Sequence, residues 1–163
     1  MTEFVSGNQI KLLRNGADYF PALEAAIDSA RIEIYLQTYI FEADVIGRRI
    51  AAALMRAAMR EVMVCLLLDG FGCRSLPTSL IDSMQQSGVQ VLIYRPKISP
   101  WTLKRNRLRR LHRKIAVMDG RMAFVGGINI IDDMNTPGHT PPRVDYAVQV
   151  EGPLLKPILG SAG

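Results

Sequence analysis

The stretch VMVCLLLD (62–69) constrains the fold more than any other part of the chain, because it is apolar at nearly every position. Such a run suits a central strand covered on both faces, the usual condition of a strand in a parallel sheet. The Ala-rich segment IGRRIAAALMRAAMR (46–60) before it has helical spacing. After it come a Gly-bounded loop (GFG, 70–72), a helix near 79–86 ended by Gly88, and the strand VQVLIY (89–94). Upstream, NQIKLL (8–13) reads as a first strand, and residues 18–30 as a helix with Tyr19, Leu23, Ala26, Ile27 and Ala30 at helical spacing. RIEIYLQTYIF (31–41) alternates as a strand with one face buried. This order predicts an α/β domain built on a mixed, mostly parallel sheet flanked by helices on both faces. At 163 residues, 48% of them hydrophobic, the chain fits one such domain and needs no covalent staple to fold.

Charge is less evenly spread than the formal +5 suggests. Lys97 to Lys114 holds eight Lys or Arg and no acid, leaving 12 bases against 15 acids elsewhere. Within this run Trp101 is interleaved with Lys104, Arg105, Arg107, Arg109 and Arg110, a candidate rim for an anionic surface. Near a charged membrane each base contributes on the order of 1 kcal/mol, and a nucleic-acid backbone would meet the same charges. Cys65 and Cys73 match no zinc or redox spacing and are expected to be reduced thiols of a cytosolic protein. The N-terminus has no signal-peptide pattern, and no run of 18 apolar residues occurs. The expectation is a chain that lies against a membrane rather than crossing it.

The segment LHRKIAVMDGRMAFVGGIN (111–129) places chemistry on a strand–turn–strand pattern, with Asp119-Gly120 as the turn signal. Residues two apart on a strand share a face, so His112 and Lys114 are expected to emerge side by side. Gly126 and Gly127 allow close approach of a ligand to the backbone, and Asn129 adds a neutral donor. An imidazole, a fixed cation and an amide together suit a phosphoryl group, whose developing charge is met by preorganised donors.

His-x-Lys, four residues, Asp, then six residues and Gly-Gly-x-Asn resembles the HKD signature of the phospholipase D superfamily. NGADYFPALEAAIDSA, IYLQTYIFEAD, VCLLLDGFG and DYAVQVEGP extend the likeness toward the first half of the shorter bacterial cardiolipin synthases, over nearly the whole chain. The resemblance implies a metal-free, cofactor-free, two-step phosphodiester exchange through phosphohistidine, with one histidine as nucleophile and a second as acid and base. It assigns Lys114 and Asn129 to the phosphate oxygens, Asp119 to holding the hairpin, and Asp145 to orienting the motif histidine. Which role His112 takes stays open. It also implies phosphatidylglycerol as substrate, at the cytoplasmic side of a bacterial inner membrane.

Family active sites use two motifs, and these 163 residues contain one, since His139 in TPGHTPP has no lysine two positions on. The second half is expected either in cis, with residues 1–163 as one domain of a longer enzyme, or in trans from a homodimer. Two other readings remain: a dimeric phosphodiesterase acting on nucleic acid, and an inactive fragment that binds anionic surfaces. Glu42, Asp44 and Asp69 are read as turn and capping residues. Glu61 stands at a helix-to-strand turn where relatives usually place glycine, predicting a strain of roughly 1 kcal/mol.

Overall fold

The computed structural model describes residues 6–95 and 111–162. Trp101, Lys104, Arg105, Arg107, Arg109 and Arg110 lie outside the described residues. The elements run β1 (Gln9–Arg14), α1 (Asn15–Ser29), β2 (Glu33–Thr38), α2 (Val45–Met59), β3 (Met63–Asp69), α3 (Thr78–Gln86), β4 (Gln90–Tyr94), β5 (Lys114–Met118), β6 (Met122–Gly126), β7 (Tyr146–Glu151) and α4 (Leu155–Ala162). Among the described residues no helix is long and apolar enough to cross a membrane.

All seven strands join one sheet in the order β1-β7-β6-β5-β2-β3-β4. Only β2–β3 and β3–β4 pair in parallel, through the crossovers α2 and α3. The other pairings, β1–β7, β2–β5, β5–β6 and β6–β7, are antiparallel. The α/β class stands, but a mostly parallel sheet does not. A turn of three residues, Asp119 to Arg121, forces β6 back along β5, and β7 and β1 then continue the antiparallel side.

The two faces of the sheet are covered unequally. One face packs Ile34, Leu36, Val64, Leu66, Leu68, Ala116 and Phe124 against Leu23 and Ile27 of α1 and Ile50 and Leu54 of α2. Each such side chain contributes about 1.5–3 kcal/mol when fully buried. On this face Tyr19 meets the rings of Phe20 and Phe124 edge-on, at centroid distances of 5.2 and 5.9 Å. Among the described residues the opposite face has a smaller apolar cluster, Ile115, Val117 and Ala123 against Leu155, with Tyr35 and Ile158 packed alongside. Met63 of β3 is therefore 55% exposed although its strand is apolar up to Asp69. The expected two-sided cover of β3 is complete on one side only.

The sheet also has two unlike ends. At one end lie the α1–β2, α2–β3 and β5–β6 turns. Asp119 and Gly120 take φ of 53° and 60° there, the left-handed pair that a tight hairpin requires. Glu61 takes φ 68° at the same end, which is the anticipated strain, at about 1 kcal/mol. A lattice of Arg49 and Arg56 of α2 with Glu24 and Asp28 of α1, Arg56 lying 2.9 Å from Asp28, laces the two helices together. At the other end β2 and β3 run out at their C-termini and β5 begins, the kind of edge where ligands gather in α/β sheets.

Candidate functional site

β5 begins at Lys114, so His112 precedes the strand instead of sharing its pleat. Strand alternation therefore does not explain why the two groups meet; an aromatic ring does. The exposed His112 imidazole stacks on Tyr39 with centroids 4.4 Å apart and planes 19° apart. The Lys114 ammonium stands 5.8 Å from the centre of the same ring. Tyr39 follows β2 directly, and β2 is the antiparallel neighbour of β5, so the β2–β5 register brings the phenol ring to both the imidazole and the cation. Contacts of this kind contribute about 0.5–1 kcal/mol at exposed sites. Their larger effect is to fix two mobile side chains on one surface.

The main chain at His112 is anchored from β3. Asp69, fully buried, accepts hydrogen bonds from the backbone N–H groups of Phe71 (2.9 Å) and Gly72 (3.0 Å) with one carboxylate oxygen and from Leu111 (3.0 Å) with the other. A carboxylate that holds three backbone donors can be buried, because each desolvated oxygen regains partners. The same residue thus caps the Gly-Phe-Gly turn and sets the height of the segment that carries His112.

Lys114 lies opposite Gly126 in the β5–β6 register, and Gly126 lies opposite Ala147 on β7. A Cβ at Gly126 would come within 2.5 Å of the Ala147 Cα and of the Tyr146 carbonyl oxygen, so the strand tolerates nothing larger there. At Gly127 a Cβ would stand 2.2 Å from Asp145 Oδ1. Glycine at 127 therefore makes room for a carboxylate. Asp145 is clamped in that space by Asn15, which donates its N–H to the Asp145 carbonyl (2.8 Å) and accepts the Asp145 N–H on its side-chain oxygen (3.0 Å).

Among the described residues Asp145 makes no hydrogen bond to the His112 ring, so the expected orienting contact is not made within this chain. Its charge acts instead on Lys114. Burial lowers the Lys114 pKa from its ordinary value, and the Asp145 carboxylate partly opposes that shift. Asn129 spends its side-chain oxygen on the Ile40 N–H at 3.0 Å. That bond orients the amide so that its NH2 is the half left for a ligand. The site therefore offers an imidazole, a partly desolvated ammonium and an amide donor, all cationic or hydrogen-donating, beside one acid.

Asp119 is not part of this constellation. It sits at the far end of β5, five residues of strand away, or roughly 16 Å. There its carboxylate accepts from the N–H groups of Arg31 (2.9 Å), Ile32 (2.8 Å) and Glu33 (3.0 Å). Burial alone would raise its pKa, but these donors and Arg121 outweigh it and hold the group below the usual aspartate range. In this position Asp119 ties the α1–β2 turn to the hairpin. Sequence reasoning missed Tyr39, Asp69 and Asn15 as site-builders. The signals were present: an aromatic just past a strand, an acid closing an apolar run, and an Asn-Gly pair before a helix.

A family model described as "Cardiolipin synthase, PLD-like domain" matches residues 23–136. The chain belongs to this family. Cardiolipin synthase B of Salmonella typhi is 42% identical over 153 residues, which cover 94% of this chain and 37% of that protein. This phospholipase D-like domain thus spans 37% of the length of that relative. NucT from Helicobacter pylori has the same fold at a TM-score of 0.73 and 17% identity, covering 96% of this chain and 94% of that one. The phospholipase D family member Nuc from Salmonella typhimurium superposes at 0.68 and 19% identity, with 96% and 92% covered.

Proposed function

We propose that this phospholipase D-like domain supplies one half of a cardiolipin synthase-type active site, an enzyme that moves a phosphatidyl group from phosphatidylglycerol to a second glycerol-bearing phospholipid. The observation that carries the reading is the convergence of His112 and Lys114 on Tyr39, beside an amide whose donors are unspent. The 42% identity to cardiolipin synthase B supports lipid over nucleic acid as the substrate class.

In the first step one motif histidine attacks phosphorus; a P–N bond forms, the P–O bond to the departing glycerol breaks, and a second histidine gives that glycerol its proton. In the second step the same histidine takes the proton of an incoming lipid hydroxyl, which attacks phosphorus as the P–N bond breaks. Lys114 and the Asn129 NH2 hold the nonbridging oxygens throughout, where negative charge builds. Lys114 suits this task because partial burial strengthens its field while Asp145 opposes its deprotonation. Asp145 and Gly127 shape the floor under the phosphate. The second histidine comes from another HKD half, on the same polypeptide or on a second copy. The Lys97 to Lys114 segment holds the domain against anionic lipid, peripherally, at the cytoplasmic face of the bacterial inner membrane.

The test is to mix the protein with phosphatidylglycerol vesicles, quench, and search for a phosphatidyl adduct on histidine by mass spectrometry while following cardiolipin formation. An adduct on His112, or one on the second histidine that vanishes with His112→Ala, supports the reading. Metal-independent cleavage of single-stranded DNA with no lipid turnover replaces it with the nuclease reading. Vesicle binding with neither activity leaves an inactive surface-binding domain.

A further inference from the structure

A second cavity opens beside the His112 site and no step above uses it. It has a volume of about 550 Å³ and is lined by Tyr39, Glu42, Phe71, Arg74, His139 and Arg143, among others. Tyr39 belongs to both sites, so a molecule in the cavity lies one ring away from the imidazole. Asp69 joins them again, since its carboxylate holds the N–H groups of Phe71 and Gly72 on the cavity wall together with that of Leu111 next to His112.

The polar groups of this cavity are fixed in place and not fully used. Arg143 donates from Nη2 to the Asn135 carbonyl at 2.9 Å, which pins the guanidinium, while its buried Nε has no hydrogen-bond partner among the described residues. Arg74 lies over the Phe71 ring at 4.4 Å, held by the aromatic face. Glu42 accepts from the Ser75 hydroxyl at 2.7 Å, a bond that positions a carboxylate in the same wall. A site for a bare anion has no use for that carboxylate, because it would repel the ligand. Two guanidinium groups, an acid and a hydroxyl in one cavity lining match a ligand that carries both an anionic group and hydrogen-bond donors.

Resting on the cardiolipin synthase reading, we propose that this cavity binds the phosphoglycerol portion of the second substrate. Arg143 and Arg74 take its phosphate, and Glu42 with Ser75 accepts from its glycerol hydroxyls. Occupied in this way, the cavity sets an incoming hydroxyl on the Tyr39 side of the phosphorus. The charged and polar lining suits a head group better than an acyl chain, which leaves the chains outside in the bilayer. The same chemistry exists in free glycerol 3-phosphate and in a lipid head group.

The test is binding to the full chain carrying His112→Ala, which removes the reactive imidazole and leaves the cavity intact. Glycerol 3-phosphate, inorganic phosphate, glycerol and dihexanoyl phosphatidylglycerol are titrated by calorimetry and by NMR. The expected result is saturable binding of at least one of the two phosphoglycerol probes, tighter than phosphate or glycerol alone. Whichever of the two binds identifies the source. Arg74→Gln and Arg143→Gln should each weaken it about tenfold or more, the effect of losing a charged hydrogen bond. Glu42→Gln should narrow the preference for phosphoglycerol over phosphate. Because Arg143 also braces its own loop, Arg74→Gln serves as the variant whose fold is not in question. Equal affinity for phosphate and phosphoglycerol, or binding indifferent to both arginine substitutions, overturns the proposal. Neither outcome touches the histidine adduct, so the two readings fail separately.

Discussion

The Asp119 end of the β5–β6 hairpin and its Lys114 end carry parts of one sequence motif, yet they handle polar groups in opposite ways. At the Asp119 end a carboxylate spends its oxygens on three backbone N–H groups of the neighbouring turn. At the Lys114 end the groups are held by contacts that leave their reactive atoms open: an imidazole by stacking, a lysine across from a glycine, and an amide through its oxygen alone. One end converts charge into fold stability, and the other keeps it for a ligand. The motif thus divides into a reactive half and an architectural half, separated by the length of a strand.

The strongest way to break this division is at the open end. In an assay with a second HKD half supplied, His112→Ala should lower cardiolipin formation at least about 1000-fold, while the melting temperature falls by no more than about 4 °C from the lost ring stack; a retained rate would move the reactive centre elsewhere. Gly126→Ala probes whether the open end also bears fold weight. Its Cβ meets backbone rather than a flexible side chain, so denaturant unfolding should show a loss of about 1–3 kcal/mol.

At the closed end Asp119→Asn should cost about 1–2 kcal/mol at neutral pH through weakened charged hydrogen bonds. The folded pKa of Asp119 is depressed, so its contribution is complete above the ordinary aspartate range and is lost as the pH falls through the depressed value. Wild type and variant should therefore converge in acid; a gap that persists there would show that shape, and not charge, holds the turn. The smallest effect is a gain. Glu61 sits at φ 68°, and Glu61→Gly should stabilise the domain by up to about 1 kcal/mol, read as a rise in melting temperature without any change in turnover.

Much of the fold was legible along the chain. The runs at 8–13, 31–41, 62–69 and 89–94 and the strand–turn–strand segment at 111–129 all contain strands, because apolar alternation and Gly or Asp turns are local signals. Pairing direction was not legible for most of the sheet. β2, β3 and β4 follow from their helical crossovers, but nothing in the residues of β7 or β1 says that they extend the hairpin side. The site was read in part. His112, Lys114, Gly126, Gly127 and Asn129 do gather at one edge, and the Lys114–Gly126 pairing follows from the turn. Asp119 was legible as a turn former but not as a residue remote from the chemistry. Asp145 lies next to Gly127, yet its partner is Lys114 rather than His112.

By itself the sequence determined which segments are strands, where the hairpin turns, and which residue types suit phosphate, since propensity and side-chain chemistry act over a few residues. Tertiary structure decided that Tyr39 meets both His112 and Lys114, that Asp69 reaches 42 positions along the chain to hold Leu111, and that Arg143 shares a cavity with Arg74. These are contacts between residues far apart in the chain. They exist only once a particular register of β2 against β5 has been chosen, and burial of the whole face under α1 and α2 makes that choice, not the preference of any one residue.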